Sequence, residues 1–114
     1  MIKIEAIVRE DKFEDIKEAL SKVGVNGITV SQVMGCGRSK GYKELIRGSE
    51  VTITMLPKLK FEIIVSDESW EKKTIDAILQ AAYTGNPGDG KIFSYDLRNV
   101  IRVRTKEQGT AAIN

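Results

Sequence analysis

The sequence predicts a single α+β domain in which an antiparallel sheet is covered by two helices. Two observations lead to this fold class. Several short segments alternate apolar and polar residues, and two longer segments carry apolar residues at helical spacing. Their order along the 114 residues is strand, helix, strand, strand, helix, strand. No linker or low-complexity segment interrupts this order, so residues 1–114 are expected to form one domain.

The first half of the chain predicts a strand, a helix and a second strand. Residues 2–8 place apolar side chains at every second position, which is typical of a strand with one buried face. The following helix has apolar residues at positions 13, 16, 20 and 23 on one stripe. We expect Asp11 to cap its start and Gly24 to end it. Residues 27–34 predict the second strand.

The second half predicts a third strand, a second helix and two short strands. Residues 59–65 alternate again, residues 69–83 have helical spacing, and residues 91–97 and 100–104 predict the final strands. Together the elements form the split βαβ or ferredoxin-like arrangement, with both helices on one face of the sheet. This fold class includes enzymes, RNA-binding modules and regulators, so function has to be inferred from sites.

Composition excludes several classes of protein. A net charge of +2 is too small to indicate nucleic acid or an anionic membrane as the partner. The chain has one cysteine, Cys36, and no histidine, which argues against an internal disulfide and a structural zinc site. A thiol enzyme using Cys36 beside Arg38 is disfavoured because no histidine is present to activate it. No apolar run reaches signal-peptide or membrane-spanning length, and we expect a cytoplasmic protein that is not an enzyme.

A long connection joins the second and third predicted strands. It spans roughly residues 35–57, is rich in glycine and charge, and far exceeds the usual hairpin loop of about 2 to 5 residues. Such a loop is either functional or a disordered insertion, and its composition leaves both open. Alternation at residues 51–55 indicates that part of the connection extends the hairpin.

Residues 84–91 read TGNPGDGK and formally contain the start of a P-loop. We reject that assignment because the segment leaves a helix and enters a strand, and Ile92 occupies the position of the magnesium-binding hydroxyl. The glycines still allow backbone N–H groups to approach phosphate oxygens, and Lys91 adds a positive charge. An ordinary helix-to-strand turn is the alternative.

Two arginines form a third candidate feature. If residues 100–104 are a strand, Arg102 and Arg104 lie on the same face, where two guanidinium groups suit phosphate oxygens. The alternative is a solvated strand face of ordinary surface charges.

These features occur together in the PII signal-transduction proteins of nitrogen metabolism, which this chain resembles nearly end to end. Residues 35–41 (GCGRSKG) and 44–50 (ELIRGSE) resemble the opening and middle of the PII T-loop. Residues 56–62 (LPKLKFE) are similar to the segment after that loop. Residues 84–93 (TGNPGDGKIF) are similar to the B-loop, and residues 100–105 and 111–113 to the C-terminal part.

The resemblance implies a homotrimer that binds ATP or ADP between neighbouring subunits. Magnesium with ATP would support binding of 2-oxoglutarate, and the T-loop, residues 36–57, would engage an ammonium-transport channel or an enzyme of nitrogen metabolism. The B-loop would span residues 84–91 and the C-terminal segment residues 102–114. Carried over to this sequence, the nucleotide-binding residues are Thr29, Gly37, Arg38, Glu62, Val65, Gly88, Asp89, Gly90, Lys91, Arg102, Val103 and Arg104. Those for 2-oxoglutarate are Ser39, Lys40, Gly41 and Lys58, and Glu62 would pair with Lys91.

The chain departs from the family pattern at positions outside the residues expected to bind the nucleotide. Ser39 replaces the glutamine that helps to hold magnesium, and Val51 replaces the tyrosine that many members modify by uridylylation. Arg9 and Glu10 replace the usual Lys-Pro. We therefore expect nucleotide binding, weakened 2-oxoglutarate and magnesium binding, and no modification site at position 51. The alternative function is an RNA-binding module on the same fold, although no aromatic base-stacking motif is present.

Overall fold

A computed structural model of the chain describes residues 1–38, 44–46, 49–51 and 53–113. The strands are β1 (Ile2–Arg9), β2 (Thr29–Arg38), β3 (Glu44–Ile46), β4 (Ser49–Val51), β5 (Ile53–Val65) and β6 (Lys91–Asp96). The helices are α1 (Phe13–Lys22) and α2 (Glu68–Ala82), and 3-10 turns occur at Glu10–Lys12 and Gly109–Ala112. Neither α1 nor α2, the helices of the described ranges, has the length and apolar character needed to cross a membrane.

The main sheet has the strand order β2-β5-β1-β6, and every neighbouring pair is antiparallel. This confirms the ferredoxin-like α+β arrangement. The alternate residues of β1 at positions 2, 4, 6 and 8 are buried, as the sequence pattern predicts. Together with Phe61 and Ile63 of β5 they pack against Ile16, Leu20 and Ile78 from the helices, and all five of these side chains are at most 1% exposed.

Both helix starts differ from the sequence prediction. Glu10–Lys12 form a 3-10 turn, so α1 begins at Phe13, two residues after Asp11, and its N-cap position is Lys12, which makes no side-chain cap. Asp11 is therefore not the cap. Gly24 follows the end of α1 with a φ of +92°, as expected for a helix-terminating glycine. Helix α2 is capped by Asp67, whose carboxylate accepts a hydrogen bond from Trp70 N at 2.9 Å.

The hairpin of β2 and β5 is longer than predicted. Its register runs from Thr29 opposite Glu62 to Arg38 opposite Ile53, whereas β1 pairs with β5 only from Lys58 to Val65. Residues 35–38 and 53–57, assigned to the long loop from sequence, are therefore paired strand that projects beyond the main sheet. Of the alternating segment 51–55, residues 53–55 belong to this extension, whereas Val51 belongs to β4 and residue 52 lies outside the described residues. The β3–β4 hairpin lies farther along the same connection.

The final predicted strand is not present. Residues 100–104 form a turn closed by an isolated bridge between Ile101 and Gln108. Lys106 N donates to Arg102 O at 2.8 Å, and Arg102 N donates to Glu107 O at 2.9 Å. Lys106 completes the turn with a φ of +62°. The prediction that Arg102 and Arg104 share a strand face was wrong, because the chain reverses direction between them and Glu107.

Adjacent positions of α2 offer a matched test of this packing. Ile78 is fully buried, whereas Leu79 is 54% exposed. We expect Ile78→Ala to lower the free energy of unfolding by about 3 kcal/mol, because it leaves a cavity between helix and sheet. Leu79→Ala replaces one good helix former by another at an exposed position and should cost less than about 1 kcal/mol. Urea unfolding of both variants measures the difference, and equal losses would contradict the placement of the core.

Candidate functional site

The turn of residues 84–91 is held together by one carboxylate. Asp89 accepts hydrogen bonds from Thr84 N and Gly85 N, each at 2.9 Å, and from the Thr84 hydroxyl. Its neighbours Gly85, Gly88 and Gly90 all have φ values near +90 to +100°, a region that favours glycine. The family resemblance places Asp89 among the phosphate-binding residues, and because its carboxylate bonds the turn's own donors, that role would fall to its backbone N–H group.

The turn also approaches the main sheet closely. A Cβ atom at Gly90 would lie 1.8 Å from Ile7 O, so only glycine fits between the turn and β1. Lys91 immediately follows as the first residue of β6 and pairs in register with Ile7. Its side chain is exposed on the face of the sheet opposite the helices.

Two cations approach the turn from the sheet. Arg9, the last residue of β1, donates from Nη2 to Pro87 O at 2.7 Å and from Nε to Asp89 Oδ1 at 3.1 Å. Lys58 of β5 donates from Nζ to Gly88 O at 2.6 Å. Because the peptide bonds of this turn are trans, the N–H groups of Gly88 and Asp89 point away from the cations that hold the preceding carbonyls. Successive N–H groups of this kind form an anion-binding concavity.

The pKa of Asp89 lies well below its ordinary value of 3.8, mainly because of the hydrogen bond from the Thr84 hydroxyl. A carboxylate with a lowered pKa stabilises the folded turn above pH 3.8, and that stabilisation is lost as the pH falls further. We therefore expect the amide signals of Thr84 and Gly85 to titrate with a midpoint below 3.8. Proton–nitrogen NMR between pH 6 and 2 measures this, and the Asp89→Asn variant should show no such transition. A midpoint at or above 3.8 would contradict the bonding pattern.

A second group of predicted residues lies at the other edge of the sheet. Thr29 and Glu62 line a cavity of about 210 Å³ together with Gly27, Ile64, Val100 and Ile113. A neighbouring cavity of about 130 Å³ shares Gly27, Ile64 and Ile113 and adds Val65 and Trp70. The C-terminal segment thus lies over the sheet near Thr29 and supplies an apolar wall. The mixture of apolar walls with a hydroxyl and a carboxylate is typical of ligand pockets.

Within the C-terminal turn, Arg102 and Arg104 have different surroundings. Arg102 pairs with Glu107 at 3.0 Å and lies 3.5 Å from Ala112 O. Val103 is 91% exposed at the tip of the turn, and Arg104 beside it is exposed. Arg102 is therefore oriented by its own chain, while Arg104 projects into solvent.

Glu62 belongs to a network of charges at the centre of the uncovered face. Its carboxylate lies 3.3 Å from Lys3 Nζ and 3.5 Å from Lys60 Nζ. Both lysines also contact Glu5, which accepts a 2.8 Å hydrogen bond from the Tyr95 hydroxyl. This bond lowers the pKa of Glu5 and raises that of Tyr95. Among the described side chains of one subunit, Glu62 therefore pairs with Lys3 and Lys60, and the expected pair with Lys91 is not formed.

Within one subunit, the residues predicted to bind nucleotide lie in two separate groups. Lys91 on β6 and Thr29 on β2 are at opposite edges of the sheet, three strand spacings or about 14 Å apart. The turn of Gly88, Asp89, Gly90 and Lys91 contacts Lys58, whereas Thr29, Glu62 and Val65 line cavities towards the other end of β5. Arg102 lies 3.5 Å from the carbonyl oxygen of Ala112, which lines one of these cavities. Gly37 and Arg38 belong to the projecting end of β2, where the structure describes only the backbone. Ser39, Lys40 and Gly41 lie outside the described residues.

Two features of the site were not predicted from the sequence: the contact of Arg9 with the turn of residues 84–91, and the contribution of Ile64 to the cavity near Thr29. From the sequence, Arg9 is only a departure from the family pattern. In the structure it lies at the end of β1, where its side chain contacts a turn that is about 80 residues away in the chain. Ile64 occurs on the face of β5 that was assigned to charge, between Glu62 and Ser66. An apolar residue on an otherwise polar strand face is the signal that could have indicated a pocket.

The sequence is similar to those of known proteins over nearly its whole length. The family model described as "Nitrogen regulatory protein P-II" matches residues 1–107. The nitrogen regulatory protein P-II of Pasteurella multocida is 51% identical over 99% of this chain and 100% of its own length. P-II 1 of Escherichia coli K12 is 49% identical over the same shares.

Solved structures show the same likeness. The chain matches GlnK of B. subtilis with a TM-score of 0.80 and 39% identity, covering 97% of this chain and 96% of that one. The GlnK–ATP complex gives a TM-score of 0.79 at 36% identity, covering 97% and 94%. Arabidopsis thaliana PII bound to citrate gives 0.78 at 36% identity, covering 98% and 88%. The chain therefore belongs to the nitrogen regulatory protein P-II family.

Proposed function

We propose that this chain binds ATP or ADP in the clefts between the subunits of a homotrimer and controls partner proteins through its T-loop. Family membership confirms the class predicted from sequence, a regulator of nitrogen metabolism and not an enzyme. The nucleotide, the oligomer and the partner are the parts that we propose here.

The turn of residues 84–91 is the observation that carries the proposal. Arg9 and Lys58 hold the carbonyls of Pro87 and Gly88, so the next two N–H groups point away from these cations. Such N–H groups, with Lys91 beside them, suit the oxygens of a polyphosphate. The solved complex of B. subtilis GlnK with ATP, a protein that matches 97% of this chain, supports the same ligand.

The separation of the two groups of residues supports a site shared between subunits. The turn at one edge would receive the phosphates, and the cavity near Thr29 and Ile64 of a neighbouring subunit would receive the adenine ring. Cyclic association of three chains would bring opposite edges of their sheets together and close without open ends. The uncovered face, with Ile7, Ile64 and Phe93 among paired charges, would then be buried at the centre.

Titration calorimetry tests this proposal directly. ATP and ADP should each bind at one site per chain, and light scattering should report about three times the 12.7 kDa chain mass. Bound ATP should raise the melting temperature because it binds only the assembled form. An RNA filter assay separates the alternative, since a base-stacking module would retain single-stranded RNA and show no saturable ATP binding. A monomer with undiminished ATP affinity would contradict the shared site.

We expect weak binding of 2-oxoglutarate and magnesium. Ser39 has a short side chain where the family has glutamine, and magnesium tolerates little displacement of its ligands from about 2.0 to 2.1 Å. The Ser39→Gln variant should therefore tighten 2-oxoglutarate binding in the presence of magnesium and ATP. Calorimetry with and without magnesium measures the change, with Ser31→Gln on β2 as the control. Unchanged affinity on Ser39→Gln would show that another group completes the site.

The T-loop departures bear on regulation. Val51 lies in β4 and has no hydroxyl, so uridylylation at this position is chemically impossible. We propose that control passes instead through nucleotide exchange and T-loop contacts with an ammonium-transport channel or an enzyme of nitrogen metabolism. The regulator would work in the cytoplasm and reach a membrane only through such a partner.

A further inference from the structure

We propose that Arg9 is a positioning residue, which fixes the turn of residues 84–91 in its anion-binding shape without touching the phosphate itself. This inference rests on the proposed function, because Arg9 would hold the phosphate-binding turn of the nucleotide site in its binding shape before the nucleotide arrives.

The guanidinium of Arg9 bridges two parts of the turn. Nη2 holds Pro87 O at 2.7 Å, and Nε holds Asp89 Oδ1 at 3.1 Å. Asp89 is in turn bonded to Thr84 and Gly85, so one planar group connects the turn's middle to its beginning. The Arg9 side chain is 29% exposed and that of Asp89 is 23% exposed, so this pair is partly shielded from solvent.

Packing against Gly88 adds a second constraint. A Cβ atom at Gly88 would lie 3.1 Å from Nη2 of Arg9, so the guanidinium lies directly against the bare backbone. Arg9 thus occupies the sheet side of the turn, while the N–H group of Gly88 points to the opposite side. A phosphate bound by those N–H groups would be separated from Arg9 by the turn itself.

In this chain the two contacts use the fork of an arginine and not merely a positive charge, at a position where the family usually has lysine. A guanidinium presents several N–H donors in one rigid plane, whereas the ammonium of lysine is a single point on a flexible stem. Lysine at position 9 would keep the charge and could hold Pro87 O or Asp89, but it lacks the fork that holds both in a fixed relation. The lysine variant therefore separates positioning from simple electrostatic attraction.

The experiment compares four variants with the parent protein: Arg9→Lys, Arg9→Met, Asp89→Asn and the double variant Arg9→Met with Asp89→Asn. Lys17→Met, on the exposed side of α1, removes the same charge as a control. Hydrogen exchange of the amides at 84–90 is measured without nucleotide, and calorimetry gives the dissociation constants of ATP and of adenosine.

We expect Arg9→Lys and Arg9→Met to accelerate exchange in the turn and to weaken ATP binding about tenfold, with adenosine binding and the Lys17→Met control unchanged. The effects of the double variant should be smaller than the sum of the two single changes, because both remove the shared contact between Arg9 and Asp89. Parent-like exchange and ATP affinity in Arg9→Lys would overturn the proposal. The proposal would also be overturned if the Arg9 variants bound ATP more weakly without faster exchange in the turn, and if the effects of the Arg9 and Asp89 changes were additive. That combination would make Arg9 a direct phosphate ligand. Should the parent bind no ATP, the proposed function fails, while the exchange data still decide whether Arg9 orders the turn.

Discussion

Replacing Gly90 with alanine should lower the free energy of unfolding by about 2 to 6 kcal/mol and abolish the ordered turn. Two effects add. Gly90 has a φ of +101°, where an alanine is strained, and the new Cβ would lie 1.8 Å from Ile7 O and 2.9 Å from Ile7 C. Both contacts are to the backbone of the central strand β1, so no side chain can rotate to relieve them. Urea unfolding with circular dichroism measures the loss.

Gly109 provides the control for this prediction. It also has a positive φ, of +71°, but a Cβ there meets nothing within 4 Å. Gly109→Ala should therefore show only the cost of the left-handed conformation, about 1 to 2 kcal/mol. If Gly90→Ala were no more destabilising than Gly109→Ala, the close approach of the turn to β1 would be wrong.

Removing two of the proposed phosphate-binding cations together should nearly abolish nucleotide binding. Each charge-assisted contact contributes about 1.5 to 3 kcal/mol. The double variant Lys91→Ala with Arg104→Ala should therefore raise the dissociation constant of ATP about 100- to 10,000-fold. Both side chains are exposed in the single chain, so their loss should leave the free energy of unfolding of one subunit almost unchanged. Calorimetry with ATP measures the affinity.

The matched control is Lys22→Ala with Lys72→Ala, which lowers the net charge by the same two units on the exposed surfaces of α1 and α2. It should bind ATP with nearly the parent affinity. Mixed trimers sharpen the test, because Lys91 and Arg104 would come from different subunits at each site. Each mixed trimer of the Lys91→Ala chain and the Arg104→Ala chain should regain one intact site of its three. Failure to regain binding, with both chains folded and mixed, would contradict a site shared between subunits.

The sequence alone determined those features that depend on local patterns. Alternation along residues 2–8 and 59–65 reports which strand face is buried, because side chains of a strand point to opposite faces in turn. Helical spacing gave α1 and α2 to within one residue of their ends at Lys22 and Ala82. The ordered motifs, from residue 35 to residue 113, indicated the family. Gly88 and Gly90 predicted a turn whose backbone N–H groups can approach phosphate oxygens, and the close approach of Gly90 to β1 was not part of that prediction.

Only the tertiary structure decided which distant groups meet. Arg9 and Asp89 are about 80 residues apart, and their contact depends on β6 pairing with β1 in the register that places Lys91 beside Ile7. The same sheet order separates Thr29 from Lys91, which divides the nucleotide site between the two edges. The turn at residues 102–107 also escaped the sequence pattern, because alternation in a short segment does not reveal whether a partner strand is present to pair with it. Strand order and register are set by the packing of the whole sheet, so no local pattern contains them.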